Sequence, residues 1–380
     1  MPTAIYMDWN ATAPVRPEAQ HAVAAALAFG GNPSSVHAFG RHARKTMEEA
    51  RGRLADLVGA AAENVIFTSG GTEANVLAIG SRGERRLIVS AIEHDSVLRP
   101  ARDAGAATIH VTQDGVVDLD HLRFLLEQDA RPALVSLMLA NNETGVIQPV
   151  AEAAKIAHDH GALVHCDAVQ AIGRMPVDLA ALDVDFLTLS GHKLGAPQGI
   201  GALVLGRAVA VAPLLLGGGQ ERGRRAGTEN VPGIAGLGAA LAALEPRETV
   251  QVGRMREVLE RGLQEQDPAV TIFGAAAPRL LNTLCFAAGS MTAETAIMAL
   301  DLAGIAVSAG SACSSGKVRP SHVVSAMGFD AATAARAIRV SLGHENTMAE
   351  VDAFLAAWSR IHGSRIQAPR NVDERVQPAA

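Results

Sequence analysis

Short stretches of the sequence place reactive side chains directly after apolar runs. Lys193 follows "DFLTL" in "SGHK", and Asp167 follows "ALVHC". Burial lowers the pKa of a lysine amine and suits it to Schiff-base chemistry, although a surface lysine is the commoner interpretation of such a residue taken alone. An aspartate at a buried strand end can hold a proton on a ring nitrogen and make the ring a better electron acceptor, or it can serve as a structural cap.

A glycine-containing turn after another apolar run could bind phosphate. In "TSGGTEAN", Gly71 allows close approach of the backbone and Thr72 lies at a helix start, where free N–H groups and the helix dipole favour anions. An ordinary capped turn is the alternative. No GxGxxG motif is present, so a dinucleotide is not indicated. Together with Lys193 and Asp167, the turn points to pyridoxal phosphate.

Two further loops offer polar groups near the same strand ends. His94 in "IEHDS" could stack on a cofactor ring and carry protons, or be a loop histidine without a function. Asn142 in "ANNETG" could equally be a turn residue. His158, His160, His165 and Cys166 have a spacing that fits no usual ligand set, so no intrinsic metal site is predicted.

Cys313 lies among small residues in "SAGSACSSG". Such residues bury little apolar area, and glycine leaves the backbone loose, so this thiol is expected to be exposed and able to move. Cys166 and Cys285, by contrast, are expected to be buried and inert. Three scattered cysteines do not form a disulfide framework, which indicates a reducing, cytoplasmic setting.

Composition limits the classes of partner. The chain has 380 residues, 48% of them hydrophobic and 3% aromatic, so alanine and the aliphatic side chains must fill the core. The formal net charge of -6 argues against nucleic acid or an anionic membrane as a partner, and neither a signal peptide nor a membrane span is evident. A small-molecule substrate is expected.

Alternating strand and helix patterns must position these loops. Apolar runs typical of buried strands occur at 64–69, 86–91, 107–111, 133–139, 162–167, 185–190 and 201–206, and later at 270–274 and 282–288. Helical patterns occur at 16–30, 41–59, 72–80, 96–105, 118–128, 150–161, 292–304 and 347–361. The alternation predicts an α/β protein with a mostly parallel sheet, and ligands of such sheets bind beyond the carboxyl ends of the strands.

Two domains are expected. The predicted large domain spans 15–255 and holds the cofactor turn, and a smaller α/β domain comprises 1–14 and 256–364, including the Cys313 loop. Residues 365–380 are expected to be a disordered tail.

The order and number of motifs resemble the NifS/IscS family of cysteine desulfurases, in the class V aminotransferase group of fold-type I pyridoxal-phosphate enzymes. The likeness extends from about Ile5 to Ile361. It is carried by "NATAPVRPE", "GNPSSVHAFG", "FTSGGTEAN", "EHDSV", "NNETGVIQP", "HCDAVQAIGRMPVD", "LSGHKLGAPQGIGAL", "GGGQERGRRAGTEN", "SAGSACSSG" and "IRVSLG". It implies a large domain with a mostly parallel seven-stranded sheet and a smaller α/β domain.

The resemblance also implies roles for particular residues. Lys193 would attach the cofactor covalently, Asp167 would pair with the pyridine nitrogen, Gln170 would contact the ring hydroxyl, and His94 would stack on the ring and transfer protons. The phosphate would be held by Gly71, Thr72, Ser190 and His192, with Thr228 supplied by the neighbouring subunit of an obligate homodimer. Asn142 would contact cofactor or substrate, and Arg339 would bind the substrate carboxylate.

In the activity so implied, the Cys313 thiolate attacks the sulfur of L-cysteine, alanine leaves, and Cys313 keeps a persulfide. The sulfur then passes to an acceptor or iron–sulfur scaffold protein, and Cys313 could be a transient ligand of the cluster. The "GGGQERGRRAGTEN" segment is closer to the nitrogen-fixation branch than to the housekeeping branch. Alternatives are a selenocysteine lyase or class V aminotransferase, which needs no mobile thiol, and a non-enzymatic cofactor-binding scaffold for a sulfur acceptor.

Overall fold

The computed structural model describes residues 4–287, 289, 291–310 and 319–366. Its strands are β1 (Ile5–Tyr6), β2 (Val65–Thr68), β3 (Arg86–Ser90), β4 (Ala107–Ile109), β5 (Ala133–Met138), β6 (Leu163–Asp167), β7 (Phe186–Ser190), β8 (Gly201–Leu205), β9 (Thr271–Ile272), β10 (Thr283–Ala287), β11 (Ile305–Ala306), β12 (Ser308–Ala309) and β13 (Ile338–Ser341). Its helices are α1 (Pro17–Phe29), α2 (Ala38–Val58), α3 (Gly71–Gly80), α4 (Asp95–Asp103), α5 (Leu119–Gln128), α6 (Val150–Asp159), α7 (Leu179–Leu182), α8 (Val231–Ala242), α9 (Pro246–Gln266), α10 (Ala293–Leu302), α11 (His322–Ala326), α12 (Ala331–Ala334) and α13 (Met348–Ile366).

Seven of the described strands form the central sheet, in the order β2-β8-β7-β6-β5-β3-β4. β8 runs antiparallel to both of its neighbours, and the other six strands share one direction. The mostly parallel α/β fold predicted from the alternating pattern is therefore confirmed. Because the carboxyl ends of these six strands lie at one edge, the loops that follow β2, β3, β5, β6 and β7 meet there.

Helices cover both faces of this sheet. On one face, small and aliphatic side chains of α2, α6 and α8, such as Leu54, Ala153 and Leu237, pack on the strands. On the other face, Leu77 of α3 and Val97 of α4 pack on Phe186. With few aromatic residues available, alanine and aliphatic side chains fill these two layers, and close packing of this kind keeps the strand ends in place.

A second unit is built on the four-stranded antiparallel sheet β12-β13-β10-β9. Its core joins Phe286, Phe354 and Trp358 to side chains of α9 and α10. The predicted boundary at 255/256 falls inside α9. Val252 and Met255 of this helix also belong to the core of the second unit.

The chain ends connect to this second unit. β1 pairs in parallel with β11, and Asp8 bridges to Ser341, the last residue of β13. Helix α13 continues to Ile366, so it includes the first residues of the segment expected to be disordered; residues 367–380 lie outside the described residues. None of the helices described is both long enough and apolar enough to cross a membrane.

Candidate active site

A cavity of about 890 Å³ lies beyond the carboxyl ends of the parallel strands. It brings together ten of the residues predicted to form the site: Gly71, Thr72, His94, Asn142, Asp167, Gln170, Ser190, His192, Lys193 and Arg339. Thr228 is exposed and is not among the described residues that line the cavity of its own chain. Cys313 lies outside the described residues, in the gap between Gly310 and Arg319, which both line the cavity.

Lys193 reaches the cavity from a short 3-10 turn that follows β7. Its amine donates hydrogen bonds to the backbone carbonyl of Ala11, at 2.7 Å from Nζ to oxygen, and to that of Asn10. Burial, with smaller contributions from the charges of Arg174 and Arg339, lowers the pKa of Lys193 to about 7. The amine is therefore largely uncharged above neutral pH, as a nucleophilic or proton-accepting amine must be.

Asp167 ends β6 and is buried. One carboxylate oxygen accepts a hydrogen bond from the Asn75 side chain at 2.7 Å, and the other accepts from the backbone N–H of Val169 at 3.0 Å. Two donors on separate elements fix the orientation of this carboxylate towards the cavity that it lines.

His94 is the N-cap of α4, and its Nδ1 accepts the backbone N–H of Ser96 at 3.1 Å. The Ser96 hydroxyl lies 2.8 Å from the same nitrogen and also accepts from Asn75, at 2.9 Å. Burial lowers the pKa of His94, which favours a neutral ring. Since Nδ1 accepts, the neutral ring carries its proton on Nε2, and Asn75 connects the histidine to Asp167.

The glycine turn between β2 and α3 has almost no room for side chains. A Cβ at Gly71 would lie 2.9 Å from Cγ2 of Val169, and a Cβ at Gly201 would lie 2.6 Å from the backbone of Gly70. The start of α3 therefore approaches the cavity as bare backbone, next to Ser190, which is the last residue of β7. Such a helix N-terminus suits a phosphate group.

Gln170 and His192 also line the cavity. The Gln170 amide donates to the Asn10 carbonyl at 3.1 Å, and its carbonyl accepts from Arg174. His192 lies with Nδ1 3.2 Å from the Thr12 hydroxyl, and burial lowers its pKa to about 4, so its ring is neutral.

Arg339 comes from β13 of the second unit and is buried. One guanidinium nitrogen donates to Asp8 at 2.7 Å and another to the Asn142 carbonyl at 3.0 Å. Its Nε and the Oδ1 of Asn142 are buried and have no hydrogen-bond partner within the described residues. Unsatisfied buried polar atoms beside a cavity are the expected condition of groups that bind a polar ligand.

Three functional contacts were not found by sequence reasoning. Asp8 fixes Arg339, Asn75 fixes Asp167, and Glu93 lies fully buried with one oxygen accepting the Met138 N–H at 2.8 Å. Burial and then the charge of Asp167 raise the pKa of Glu93 well above its usual value. The available signals were the motifs "TEAN" and "EHDSV", which contain Asn75 and Glu93, and "NATAP", which begins two residues after Asp8.

The residues considered for a metal have other partners. His158 pairs with Asp185 at 3.0 Å, and buried His165 lies between Ser136 and Thr188. Within the described residues, no three of the histidine, cysteine, aspartate and glutamate side chains lie together in a way that could hold a metal ion.

The donor set fits pyridoxal phosphate. A neutral lysine amine could attach an aldehyde, Asp167 could pair with a ring nitrogen, and the bare turn at Gly71 could hold a phosphate. Arg339 and Asn142 retain buried polar atoms for a substrate. The arrangement can therefore hold an aldehyde cofactor and position an amino acid beside it.

Comparisons with known proteins agree with this chemistry. Residues 5–354 match the family model "Aminotransferase class-V". A cysteine desulfurase of Cereibacter sphaeroides is 44% identical over 365 residues, which cover 92% of this chain and 94% of the relative. Cysteine desulfurase IscS of Dictyoglomus turgidum is 39% identical, with 94% of both chains covered.

A solved structure shows the same similarity. The NifS-like protein from Rickettsia africae superimposes with a TM-score of 0.89 at 36% identity, over 95% of this chain and 99% of that one. The chain thus belongs to the class V aminotransferase family of pyridoxal-phosphate enzymes, among the cysteine desulfurases.

Proposed function

We propose that this protein converts L-cysteine to L-alanine and takes up the sulfur as a persulfide on Cys313, for use in iron–sulfur cluster assembly. One observation carries the proposal: the Lys193 amine shares a cavity with Asp167 and the glycine turn, and Gly310 and Arg319, which also line this cavity, flank the segment that holds Cys313. Relatives of this chain that cover nearly its whole length are named cysteine desulfurases.

The residues divide the chemistry between them. The cofactor, when bound, supplies a ring that accepts electron density from the substrate. Lys193 would be its covalent anchor and a proton acceptor, the Nε2–H of His94 would move a proton at the ring face, and Arg339 would orient the substrate carboxylate. Gln170 would contact the ring hydroxyl, and Thr72, Ser190 and His192 would complete the phosphate site.

Sulfur transfer balances without an added oxidant. The Cys313 thiolate attacks the substrate sulfur, an S–S bond forms, and the C–S bond breaks with its electron pair left on the substrate carbon. That carbon takes up a proton and leaves as part of alanine. A reductant or thiol of the acceptor protein then removes the sulfur from Cys313.

Product analysis tests this function against its alternatives. Holoenzyme given L-cysteine alone should release one alanine for each sulfur transferred, without a keto acid. A dependence of turnover on an added keto acid would instead identify an aminotransferase. Activity confined to L-selenocysteine would identify a selenocysteine lyase. Cofactor binding without any turnover would indicate the non-enzymatic scaffold for a sulfur acceptor.

A homodimer completes each site in this proposal. Thr228 is exposed and lies in the segment 217–230, and this segment shares a groove with residues 33–48. Large apolar side chains are exposed in the same region, including Val36 and Phe39, and Leu216 lies just before the segment. Exposed apolar clusters of this kind are typical of protein interfaces. A second copy of the chain would cover them and bring Thr228 to the partner's phosphate site.

Thr228→Val should leave the dimer intact and weaken cofactor affinity about tenfold, since it removes one hydrogen bond to a charged group. Thr228→Ser, which keeps the hydroxyl, is the matched control. Phe39→Asp should reduce both dimerisation and cofactor affinity. Sedimentation with cofactor absorbance measures both quantities, and a monomer that keeps full cofactor affinity would refute the shared site.

The remaining proposals concern the cellular setting. Cys166 and Cys285 are free thiols, and Cys313 must stay reduced to act, which favours the cytoplasm. The "GGGQERGRRAGTEN" segment favours a role in nitrogenase maturation, with a sulfur-acceptor or iron–sulfur scaffold protein as the partner. Transient ligation of a cluster by Cys313 would be a further part of that transfer.

A further inference from the structure

Glu143 is a buried carboxylate that the chemistry described above does not use. It lines the active-site cavity and is held in the turn that follows β5, where its backbone N–H donates to the Asn141 side chain at 2.9 Å. Asn141 in turn donates to the Ile92 carbonyl at 3.1 Å. The turn is therefore fixed to the loop that carries His94, and the Glu143 side chain extends from a rigid base.

Residues on both sides of the gap that contains Cys313 lie close to the Glu143 side chain. Ser321 donates its hydroxyl hydrogen to Oε2 of Glu143. On the other side of the gap, a Cβ at Gly310 would lie 2.2 Å from the same Oε2 and 3.3 Å from Cβ of Ser321. Glycine at 310 thus lets the backbone pass directly against the carboxylate.

A third contact connects this junction to the His94 loop. His322 lies 3.0 Å from the Glu93 carbonyl through Nε2 and 3.9 Å from Oε1 of Glu143 through Nδ1. The Ser321 hydroxyl also accepts the Val324 N–H at 3.0 Å and so caps α11. A buried carboxyl group requires polar partners. Ser321 and His322, which follow the gap, supply them to Glu143.

We propose that Glu143 is a positioning residue for sulfur transfer: it fixes Gly310 and Ser321, which lie on either side of Cys313 in the sequence, relative to the His94 loop. The inference rests on the proposed role of Cys313 as sulfur acceptor. It predicts that the Glu143–Ser321 contact affects the transfer of sulfur and leaves the binding of cofactor and L-cysteine unchanged, because neither residue belongs to the cofactor-binding set.

The test compares Glu143→Ala, Ser321→Ala, the double variant and Glu143→Gln as holoenzymes. Cofactor content and the spectral change with L-cysteine should match the parent protein in all four. Persulfide formation on Cys313 should fall about tenfold in each alanine variant, as expected for the loss of a buried hydrogen bond. Glu143→Gln keeps the shape and one acceptor oxygen and should restore most of the rate.

The double variant shows whether the two residues act as one contact. It should be no slower than Glu143→Ala, because the contact is already lost in each single variant. Multiplied losses in the double variant, or a Glu143→Gln variant as slow as Glu143→Ala, would overturn the proposal.

Hydrogen exchange provides a readout that does not depend on turnover. Peptides containing Gly310 or Ser321 should exchange about tenfold faster in Glu143→Ala, while peptides of β5 to β7 exchange as in the parent protein. Unchanged exchange at both ends would refute the positioning role even in an active desulfurase. Absence of persulfide on Cys313 in the parent protein would refute the proposed function instead. The exchange experiment would then still show whether Glu143 holds Gly310 and Ser321 in place.

Discussion

Lys193→Ala should abolish covalent cofactor attachment and reduce alanine formation by at least about 10³-fold, because it removes both the amine that binds the aldehyde and a proton acceptor in the cavity. The measurement is borohydride reduction of the holoenzyme followed by peptide mass mapping. The chain has lysines only at positions 45, 155, 193 and 317, so the label can be assigned without ambiguity.

Lys155→Ala is the matched control, since that side chain is 76% exposed and pairs with Asp159. It should leave attachment and turnover unchanged. Capture of the cofactor by the apoprotein should become faster as pH rises and level off above about pH 7, because the lowered pKa of Lys193 leaves its amine neutral there. A label on any other lysine, or a rate that still climbs steeply beyond pH 9, would contradict the assignment.

Cys313→Ser should bind cofactor normally and show the spectral change with L-cysteine, yet form alanine at least about 10³-fold more slowly. The reason is that, in the proposed mechanism, the thiol is needed for the transfer of sulfur alone, whereas cofactor binding would depend on Lys193, Asp167 and the glycine turn. Alanine release and the cofactor spectrum, recorded on the same sample, separate the two steps.

Cys166→Ala and Cys285→Ala are the controls for Cys313→Ser. Both thiols are fully buried, and burial raises the pKa of each well above its ordinary value, so neither supplies a thiolate at neutral pH. These variants should keep the chemistry and lose at most a little stability. Near-normal alanine formation by Cys313→Ser would favour the lyase or aminotransferase.

The central sheet and the residues that follow its strands could be predicted, because the sequence patterns that indicate them lie within short segments of the chain. Buried parallel strands give continuous apolar runs, and the residue after each run falls at the carboxyl edge, so Asp167, Lys193 and Ser190 were expected together and do line one cavity. The same reasoning placed Gly71 after β2 and His94 after β3, at the same edge of the sheet.

The contacts that orient these residues could not be predicted, because they join distant parts of the chain. Asp8 and Arg339 are 331 positions apart, and Asn75 and Asp167 are 92 positions apart. The two-residue strands β1, β11 and β12 are too short to give a periodic pattern. The packing of Val252 and Met255 of α9 on the second unit could not be predicted either, because the amphipathic pattern shows a buried face without showing which sheet covers it.

The central claim is that sulfur passes from L-cysteine to Cys313, and mass spectrometry of the holoenzyme tests it most directly. The enzyme is mixed with L-cysteine, quenched with an alkylating reagent at increasing times, and digested. We predict that the peptide containing Cys313 gains the mass of one sulfur atom, in step with the first equivalent of alanine, while peptides with Cys166 and Cys285 do not. Alanine formed in full amount with no added sulfur on Cys313 at any time would contradict the account.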